Sequence, residues 1–309
     1  MSRLRVGTRG SRLALWQASW LHDALHALDR DLQVDLVVFE TEGDRRIDAP
    51  LPEIGGKGLF TEALEQALFD GHIDVAVHSL KDLPTDLPDG LAVRAYGERE
   101  DPRDVLIGKN GACLHEIPAG ALIGSSSLRR SAQLRRLRPD LDFTALRGNL
   151  DTRLRRLQED PALSGIVLAA AGVHRLGWHD QISEYFEPTA MLPAAGQGII
   201  AVEALHRRTD LDMALEAVNH PQSACEARAE RAFVAALGGG CQLPIGAWAV
   251  CRGEKTRLHG MVCDPTGQKM LRLDAEGSDP DTLGARLAAE AVSLGAVEIM
   301  AAVAVEDNS

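Results

Sequence analysis

The chain has 309 residues, 45% of them hydrophobic and 4% aromatic, so it carries enough apolar side chain for a folded core and is not a disordered protein. With 33 basic and 45 acidic residues its formal net charge is −12, which argues against a general binder of nucleic acid or of anionic membranes. No apolar run approaches the roughly 18 residues of a membrane span, and the N-terminus turns polar before a signal-peptide core could form. We therefore expect a cytoplasmic protein, and a monomer because no long exposed apolar stripe is evident.

Predicted strands and helices alternate in the first third of the chain. Apolar residues recur at helical spacing from Leu13 to Leu28, and a Gly-Gly-Lys-Gly run at residues 55–58 opens a second predicted helix. The β-rich runs that flank these helices are residues 4–6, 34–39 and 74–77. This repeated order of strand, helix and strand predicts a mostly parallel sheet covered by helices.

A second α/β segment follows, and after it the pattern changes. The predicted strands of the second segment are residues 121–123, 143–146 and 166–170. The apolar run at residues 199–202 is predicted to return to the first domain, which makes that domain discontinuous. From about His220 a helix precedes three strand-like runs, near residues 245–251, 257–263 and 269–274.

These patterns predict an α/β fold with two α/β domains and a C-terminal α+β domain built on a three-stranded antiparallel sheet. We place the first domain at residues 1–97 and 198–217, the second at residues 98–197 and the third at residues 218–309.

A basic segment interrupts this acidic chain. Nine arginines and three aspartates lie between Arg129 and Arg156, so the segment carries +6 and the rest of the chain −18. The segment is either a solvated helix face or a localised anion site. Ligands of parallel α/β sheets bind where strands end and helices begin, and arginines at several such junctions favour the anion site. Because a guanidinium binds a carboxylate through two hydrogen bonds, we expect a ligand with several carboxylates. Phosphate stays open as an alternative, although no phosphate-binding glycine motif is present.

Two single residues have the chemistry of a reaction centre. Asp82 follows a predicted buried strand beside Lys81, and it is either a turn-capping aspartate or a carboxylate that stabilises a cation or moves a proton. Cys241 follows three glycines, which is a poor setting for a buried packing residue and suggests a nucleophile or an attachment point. The five cysteines are odd in number and include no Cys-x-x-Cys pair, so neither a disulfide framework nor a zinc site is expected. No metal site is predicted, and His22 and His26, one helical turn apart, are interpreted as an exposed polar face.

Eight motifs, in order along residues 4–246, resemble the porphobilinogen deaminase (hydroxymethylbilane synthase) family. They are residues 8–18 (TRGSRLALWQA), 55–60 (GGKGLF), 78–84 (HSLKDLP), 98–104 (EREDPRD), 126–130 (SSLRR), 146–149 (LRGN), 193–198 (PAAGQG) and 239–246 (GGCQLPIG). Any one of them would be a weak signal, but eight in sequence are highly specific.

The resemblance implies a transferase of tetrapyrrole biosynthesis, with porphobilinogen as its substrate. Four porphobilinogen molecules are joined head to tail into hydroxymethylbilane, and ammonia is released. The resemblance also implies two domains like those of periplasmic binding proteins, a third domain, and a dipyrromethane cofactor held by a thioether to the cysteine that matches Cys241. The aspartate that matches Asp82 is the acid–base catalyst of the family. Loss of ammonia leaves a cationic azafulvene, which a neighbouring carboxylate would stabilise.

The remaining site residues are assigned by the same resemblance, motif by motif. The expected cofactor contacts are Lys81, Asp82, Ser127, Arg129 and Arg130. The expected substrate contacts are Arg9, Ser11, Lys57, Phe60, Arg147, Arg153, Arg175 and Gln197. Arginines that fit no motif are expected on a solvated helix face, namely Arg135, Arg136, Arg138, Arg155 and Arg156.

Two departures and two alternatives qualify this assignment. Glu53 stands where some relatives have a lysine, and His174 replaces a commonly basic residue before Arg175. A non-catalytic binder of small carboxylates would leave Cys241 without a purpose. A nucleic-acid binder is opposed by the −18 outside the basic segment and by the scarcity of aromatic residues for base stacking.

Overall fold

The structure is a computed structural model, and it describes residues 3–41, 61–239 and 243–301. The strands are β1 (Arg3–Arg9), β2 (Gln33–Phe39), β3 (Val75–Ser79), β4 (Leu91–Tyr96), β5 (Asp104–Gly108), β6 (Leu122–Gly124), β7 (Asp142–Thr144), β8 (Leu163–Ala169), β9 (Glu184–Phe186), β10 (Ile200–Leu205), β11 (Ile245–Arg252), β12 (Lys255–Cys263) and β13 (Met270–Gly277). The α-helices are α1 (Arg12–Leu28), α2 (Glu62–Phe69), α3 (Leu128–Leu137), α4 (Leu150–Glu159), α5 (Ala170–Arg175), α6 (Asp212–Val218), α7 (Pro221–Ala236), α8 (Pro280–Ser293) and α9 (Ala296–Ala301). None of the helices in these described ranges is long and apolar enough to cross a membrane.

The chain divides into two compact units. Unit 1 is Met1–Glu100 with Gly198–Ala224, and unit 2 is Asp101–Gln197 with Cys225–Ser309. Unit 1 contains one five-stranded sheet, and unit 2 contains a second five-stranded sheet and a three-stranded sheet. These sheets and their helices confirm the predicted fold class. The boundaries of the three predicted domains stay a prediction.

The sheet of unit 1 has the strand order β2-β1-β3-β10-β4. β2, β1 and β3 are parallel, as predicted, but β10 runs antiparallel to both β3 and β4. Its direction follows from the place where the chain re-enters the sheet, because Ile200, the first residue of β10, is paired with Ser79, the last residue of β3. Four of the five strands therefore run in one direction and β10 runs against them, which confirms the prediction of a mostly parallel sheet.

Helix α1 packs against this sheet on a face that coincides only in part with the one its apolar residues predict. Its buried residues are Ala14, Gln17, Ala18, Leu21 and Leu25. Trp16 and Leu28, which the periodic pattern includes, are 41% and 56% exposed. Gln17 occupies a core position because its side-chain amide donates a hydrogen bond of 2.8 Å to the hydroxyl of Ser79.

A charged network in unit 1 surrounds Asp74, the residue before β3. Its carboxylate accepts from Arg5 Nη2 at 3.0 Å and from Arg208 Nη1 at 2.7 Å. Burial raises the pKa of Asp74, but these hydrogen bonds outweigh burial and lower the pKa to about 2. The network ties β1, β3 and the segment after β10 together.

The two sheets of unit 2 are of different kinds. The five-stranded sheet has the order β7-β6-β8-β5-β9, in which β7, β6 and β8 are parallel and β5 is antiparallel to β8 and to β9. The other sheet, β11-β12-β13, is fully antiparallel, which confirms the three strands predicted after His220. Helices α7 and α8 cover one face of it through Phe233 and Leu287, both of which are fully buried.

The cysteines depart from the sequence analysis. Cys225 on α7 and Cys251 on β11 are joined by a disulfide, although the odd number of cysteines argued against one. The prediction failed because the partners are 26 residues apart on a helix and a strand, so no local spacing marks the pair. Cys113 and Cys263 are the free cysteines of the described chain.

Candidate active site

The carboxyl ends of β1 and β3 bring four predicted site residues to one edge of the unit 1 sheet. The two strands are parallel and adjacent, with Val6 paired to Val75, so both end at the same edge. Arg9 ends β1 and Ser11 follows it, while Lys81 and Asp82 follow β3. We call this the unit 1 edge. The Ser11 hydroxyl is the N-cap of α1, where it accepts from the backbone N–H of Ala14 at 3.3 Å.

Asp82 ends a short 3-10 turn, Leu80–Asp82, that is held on both sides. The backbone N–H of Leu80 donates to the carbonyl of Ile199 at 3.0 Å, and the backbone N–H of Leu83 donates to the carbonyl of Leu80 at 3.1 Å. The side chains of Leu80 and Leu83 are buried, whereas Asp82 is exposed. Its carboxylate makes no hydrogen bond or ion pair with the residues that the structure describes. A turn-capping aspartate would accept a backbone N–H, so this geometry favours the chemical interpretation of Asp82.

In unit 2 the strand β6 delivers three serines to the start of α3. Ser127 is the N-cap, and its hydroxyl accepts from the backbone N–H of Arg130 at 3.4 Å. The Ser125 hydroxyl accepts from the backbone N–H of Ser127 at 3.2 Å. Between them, the Ser126 hydroxyl is buried without a hydrogen-bond partner in the described chain. A buried hydroxyl at a helix N-terminus suits an anionic ligand, because it lies beside the positive end of the helix dipole.

The next junction, between β7 and α4, presents arginines. Because β6 and β7 are parallel and Gly124 is paired with Thr144, this junction lies at the same edge as the serines, and we call it the unit 2 edge. Arg147 is half-buried, and its Nη1 has no hydrogen-bond partner among the described residues. Arg153 is positioned by a hydrogen bond of 2.8 Å from its Nε to the carbonyl of Gly148. Gly148 has φ +101°, and a Cβ there would lie 2.8 Å from a methyl of Thr152, so the turn that carries Arg147 requires glycine.

Arg129 and Arg130 lie inside unit 2, around a buried carboxylate. Arg129 Nη1 donates to Asp104 Oδ2 at 2.7 Å, and Arg130 Nε donates to Asp104 Oδ1 at 2.8 Å. Gln197 Nε2 donates to the same Oδ1 at 3.0 Å. Burial raises the pKa of Asp104, but the two guanidinium groups outweigh burial and hold the pKa well below its usual range. Two positive charges against one negative charge leave this cluster with +1.

The structure thus distributes the predicted residues over different environments. Ser127, Arg147 and Arg153 lie at the unit 2 edge, whereas Arg129, Arg130 and Gln197 are buried at 4%, 6% and 0% exposure. Direct contact of these three with a ligand stays a prediction; the structure shows them positioned by Asp104 and by backbone carbonyls, two of which are those of Leu192 and Val167. Arg175, the last residue of α5, is half-buried. Lys57, Phe60 and Cys241 lie outside the described residues.

Two arginines that were expected on a solvated helix face have structural contacts. Arg135 Nη1 donates to the carbonyl of Pro265 at 2.8 Å. Arg138 donates to the carbonyls of Leu114 and Ile117, the latter at 2.9 Å. The expectation is therefore wrong for these two, because each guanidinium binds backbone carbonyls that are distant in sequence.

Sequence reasoning did not single out two further residues at these edges. Ser126 was part of a quoted motif but was not assigned a role, and only its burial shows that its hydroxyl is unpartnered. Ser79 fixes the end of β3 through Gln17, three residues before Asp82. No group of three or more His, Cys, Asp or Glu in the described ranges is arranged to hold a metal ion.

The fold and the two edges define a class of protein. It is an α/β protein with a C-terminal α+β domain, an exposed carboxylate at one sheet edge and hydroxyl and guanidinium donors for anions at another. Two family models match it: "Porphobilinogen deaminase, dipyromethane cofactor binding domain" over residues 4–213 and "Porphobilinogen deaminase, C-terminal domain" over residues 224–293. The chain therefore belongs to the porphobilinogen deaminase family. Members of this family polymerise porphobilinogen for tetrapyrrole biosynthesis on a dipyrromethane cofactor, and these predictions of family, activity and cofactor are confirmed.

The chain is similar in sequence to curated relatives over nearly its full length, and its similarity to solved structures is weaker. The chain is 50% identical over 300 residues to the porphobilinogen deaminase of Desulfitobacterium hafniense, covering 97% of each chain. It is 44% identical over 309 residues to that of Brevibacillus brevis, covering 100% of both. Among solved structures it is similar to the methionine-binding protein MetQ, with a TM-score of 0.42 and 15% identity over 70% of this chain and 90% of that one. The sulfate-bound OxyR2 regulatory domain from Vibrio vulnificus gives a TM-score of 0.42 and 14% identity, over 71% of this chain and 96% of that one.

The residues at the unit 2 edge fit the dipyrromethane cofactor. Each pyrrole unit of that cofactor carries carboxylate side chains, which need donors. The unpartnered Ser126 hydroxyl and Arg147 Nη1 are donors that the described protein leaves unsatisfied, and both lie within the cofactor-binding match.

Proposed function

We propose that Asp82 is the acid–base residue with which this chain adds porphobilinogen units during hydroxymethylbilane formation. The observation that carries the proposal is the exposed Asp82 carboxylate, which has no partner in the described chain and is held on a turn fixed by Leu80 and Leu83. When porphobilinogen loses ammonia its methylene carbon becomes cationic, and a fixed carboxylate stabilises that charge without reorganising. The same carboxylate takes up the proton that the accepting ring of the growing chain loses from its substituted carbon as it regains aromaticity.

The cations at both edges have the complementary role of binding carboxylates. Arg9, Ser11 and Lys81 at the unit 1 edge would hold substrate or cofactor side chains. At the unit 2 edge Arg147 and Arg153 would do the same, and a charge-assisted hydrogen bond of this kind contributes roughly 1.5–3 kcal/mol. When bound, the dipyrromethane supplies the free pyrrole position to which the first substrate ring is added.

The chemistry of the other cysteines supports Cys241 as the attachment residue. Cys225 and Cys251 are already bonded to each other. Burial raises the pKa of the Cys263 thiol to about 12, and the Cys113 thiol donates to the Ser183 carbonyl at 3.3 Å while its pKa is raised. A thioether needs an accessible thiol that ionises, and Cys113 and Cys263 do not offer one, whereas Cys225 and Cys251 are placed to bond to each other.

The proposal also covers the binding partners, compartment, oligomeric state and domain boundaries of the protein. The −12 net charge supports a protein that binds neither nucleic acid nor membrane surfaces, and we place it in the cytoplasm as a monomer. The separate sheets support a division into residues 1–97 with 198–217, residues 98–197 and residues 218–309.

The test of Asp82 compares two substitutions in a single-turnover assay of ring addition. Asp82→Asn keeps the size but removes the charge, so ring addition should slow by orders of magnitude while thermal stability is unchanged. Asp82→Glu keeps the charge but moves it by one methylene group, so part of the activity should remain. Asp86→Asn, on an exposed aspartate of the same loop, is the matched control and should retain wild-type rates. An active Asn variant together with an unstable Glu variant would identify Asp82 as a turn residue and overturn the proposal.

The test of Cys241 is the intact mass of the purified chain. We expect an adduct of two pyrrole units that is absent from Cys241→Ser and retained in Cys113→Ser. A folded wild-type chain without the adduct would contradict the attachment and favour a non-catalytic carboxylate binder.

A further inference from the structure

The cysteines of the disulfide, Cys225 and Cys251, stand before and after the proposed attachment residue Cys241 in the sequence. Cys225 is near the start of α7 and Cys251 near the end of β11, with Cα atoms 6.5 Å apart, a separation that disulfides allow. The bond joins two positions that are 26 residues apart in the sequence, and Cys241 lies between them in the sequence. A covalent bond between Cys225 and Cys251 therefore links α7 to β11, the two elements that the chain segment containing Cys241 connects.

The surroundings of the pair suit a bond that opens without unfolding the domain. Phe233 of α7 and Ala249 of β11 belong to one buried core, so packing alone keeps the helix on the sheet. The hydroxyl of Thr256 lies 3.2 Å from both sulfur atoms, and it remains a hydrogen-bond partner for either thiol once the bond is reduced. We therefore expect the domain to keep its core and its polar contacts when the bond is reduced.

Access to the pair is one-sided. Cys251 is only 6% exposed, whereas Cys225 is half-buried, so an exchange partner reaches the pair at Cys225. The remaining thiols of the described chain do not compete, because Cys263 is fully buried and Cys113 donates to a backbone carbonyl. Disulfides are reduced in the cytosol, so in the compartment proposed above the pair is a dithiol until the thiol pool becomes oxidised.

We propose that Cys225 and Cys251 are a reversible disulfide site that closes by exchange with a low-molecular-weight disulfide and tethers α7 to β11. Two thiols react with one small disulfide, giving the protein disulfide and two small thiols. The two electrons pass to the small disulfide, and the two thiol protons go to its products. Closure stabilises the C-terminal domain and, before the cofactor is attached, keeps both sulfurs from pairing with Cys241. This last consequence rests on the proposed function, whereas the exchange reaction does not.

The experiment uses the purified full-length holoenzyme. Samples are equilibrated with glutathione disulfide or with dithiothreitol, free thiols are blocked with a maleimide, and the digested protein is mapped by mass spectrometry. We expect two fewer blocked thiols in the oxidised sample, a cross-linked peptide containing Cys225 and Cys251, and a thermal midpoint raised by about 5 °C or more. Cys225→Ser and Cys225→Ala should both lose the cross-link and the midpoint shift, and Cys113→Ser should keep them.

Equal thiol counts in the two samples, a cross-link between other cysteines, or glutathione retained on Cys225 would each overturn the proposal. So would a midpoint that does not respond to oxidation. Ring-adding activity is measured on the same samples, so that an inactive chain with an intact disulfide response is distinguished from an active chain without one.

Discussion

Asp104 is the residue whose loss should most disturb unit 2. Its carboxylate is 0% exposed and accepts hydrogen bonds from Arg129, Arg130 and Gln197 at 2.7, 2.8 and 3.0 Å. Asp104→Asn keeps the volume but leaves two buried guanidinium groups without a countercharge, and it turns an amide donor toward at least one of them. Breaking a buried ion pair in this way costs about 3–5 kcal/mol. For a unit of this size that corresponds to a fall of roughly 6–20 °C in its unfolding midpoint.

Thermal unfolding is measured by calorimetry, and the midpoint of the unit 2 transition is compared between variants. Asp140→Asn is the control, because Asp140 also pairs with an arginine, Arg138, but at the surface, and its loss should leave the midpoint nearly unchanged. Adding Arg129→Met to Asp104→Asn removes one of the unpaired charges and should recover part of the lost stability. If Asp104→Asn unfolds within 2 °C of the wild type, the buried network does not stabilise unit 2 and the reasoning is refuted.

Three further predictions concern the edges and the Asp74 network. Arg147→Leu should leave stability unchanged but weaken cofactor assembly or ring addition at least tenfold. Arg155→Leu, at an exposed arginine, should change neither stability nor activity. Wild-type turnover in Arg147→Leu would show that Arg147 does not belong to the site. Ser79→Ala should lower stability by about 1–3 kcal/mol because the buried Gln17 amide loses its acceptor, with a Gln17→Leu double variant recovering stability in urea unfolding. The pKa of Asp74 is lowered to about 2, so the ionised carboxylate stabilises the folded state above about pH 4, and this stabilisation is lost as the pH falls towards 2. After solvent screening it amounts to roughly 1–2 kcal/mol. Asp74→Asn should abolish this pH dependence of the free energy of unfolding.

The sequence predicted those features of the fold that local patterns determine. Strands appear where β-rich runs are bounded by turns, and the three strands after His220 were located to within a few residues for this reason. The unit 2 edge was also predictable, because hydroxyl and arginine residues directly follow strands, and the ends of parallel strands meet at one edge.

Features that depend on distant partners were not predictable in the same way. The arginine pair after Ser127 has the pattern of an anion site, but its buried partner Asp104 is 25 residues away from Arg129, at the start of β5. The direction of β10 depends on where the chain returns to the sheet, beside Ser79, and not on the composition of the strand. The burial of Gln17 depends on a hydroxyl 62 residues later. In each case a contact through space decides the outcome, and a single sequence contains no periodic signal for it.

The burial of the arginines in unit 2 separates two kinds of contribution to binding. Arg129 and Arg130 satisfy their charge within the protein, so substituting them acts first on the fold and only through the fold on a ligand. Arg147 retains an unpartnered donor in the described chain, so its substitution acts on the ligand while the fold has little to lose. Loss of activity alone therefore does not identify a carboxylate-binding arginine in this protein. The distinction requires stability and activity to be measured on the same variant, because a buried arginine changes both and a ligand-binding arginine changes only one.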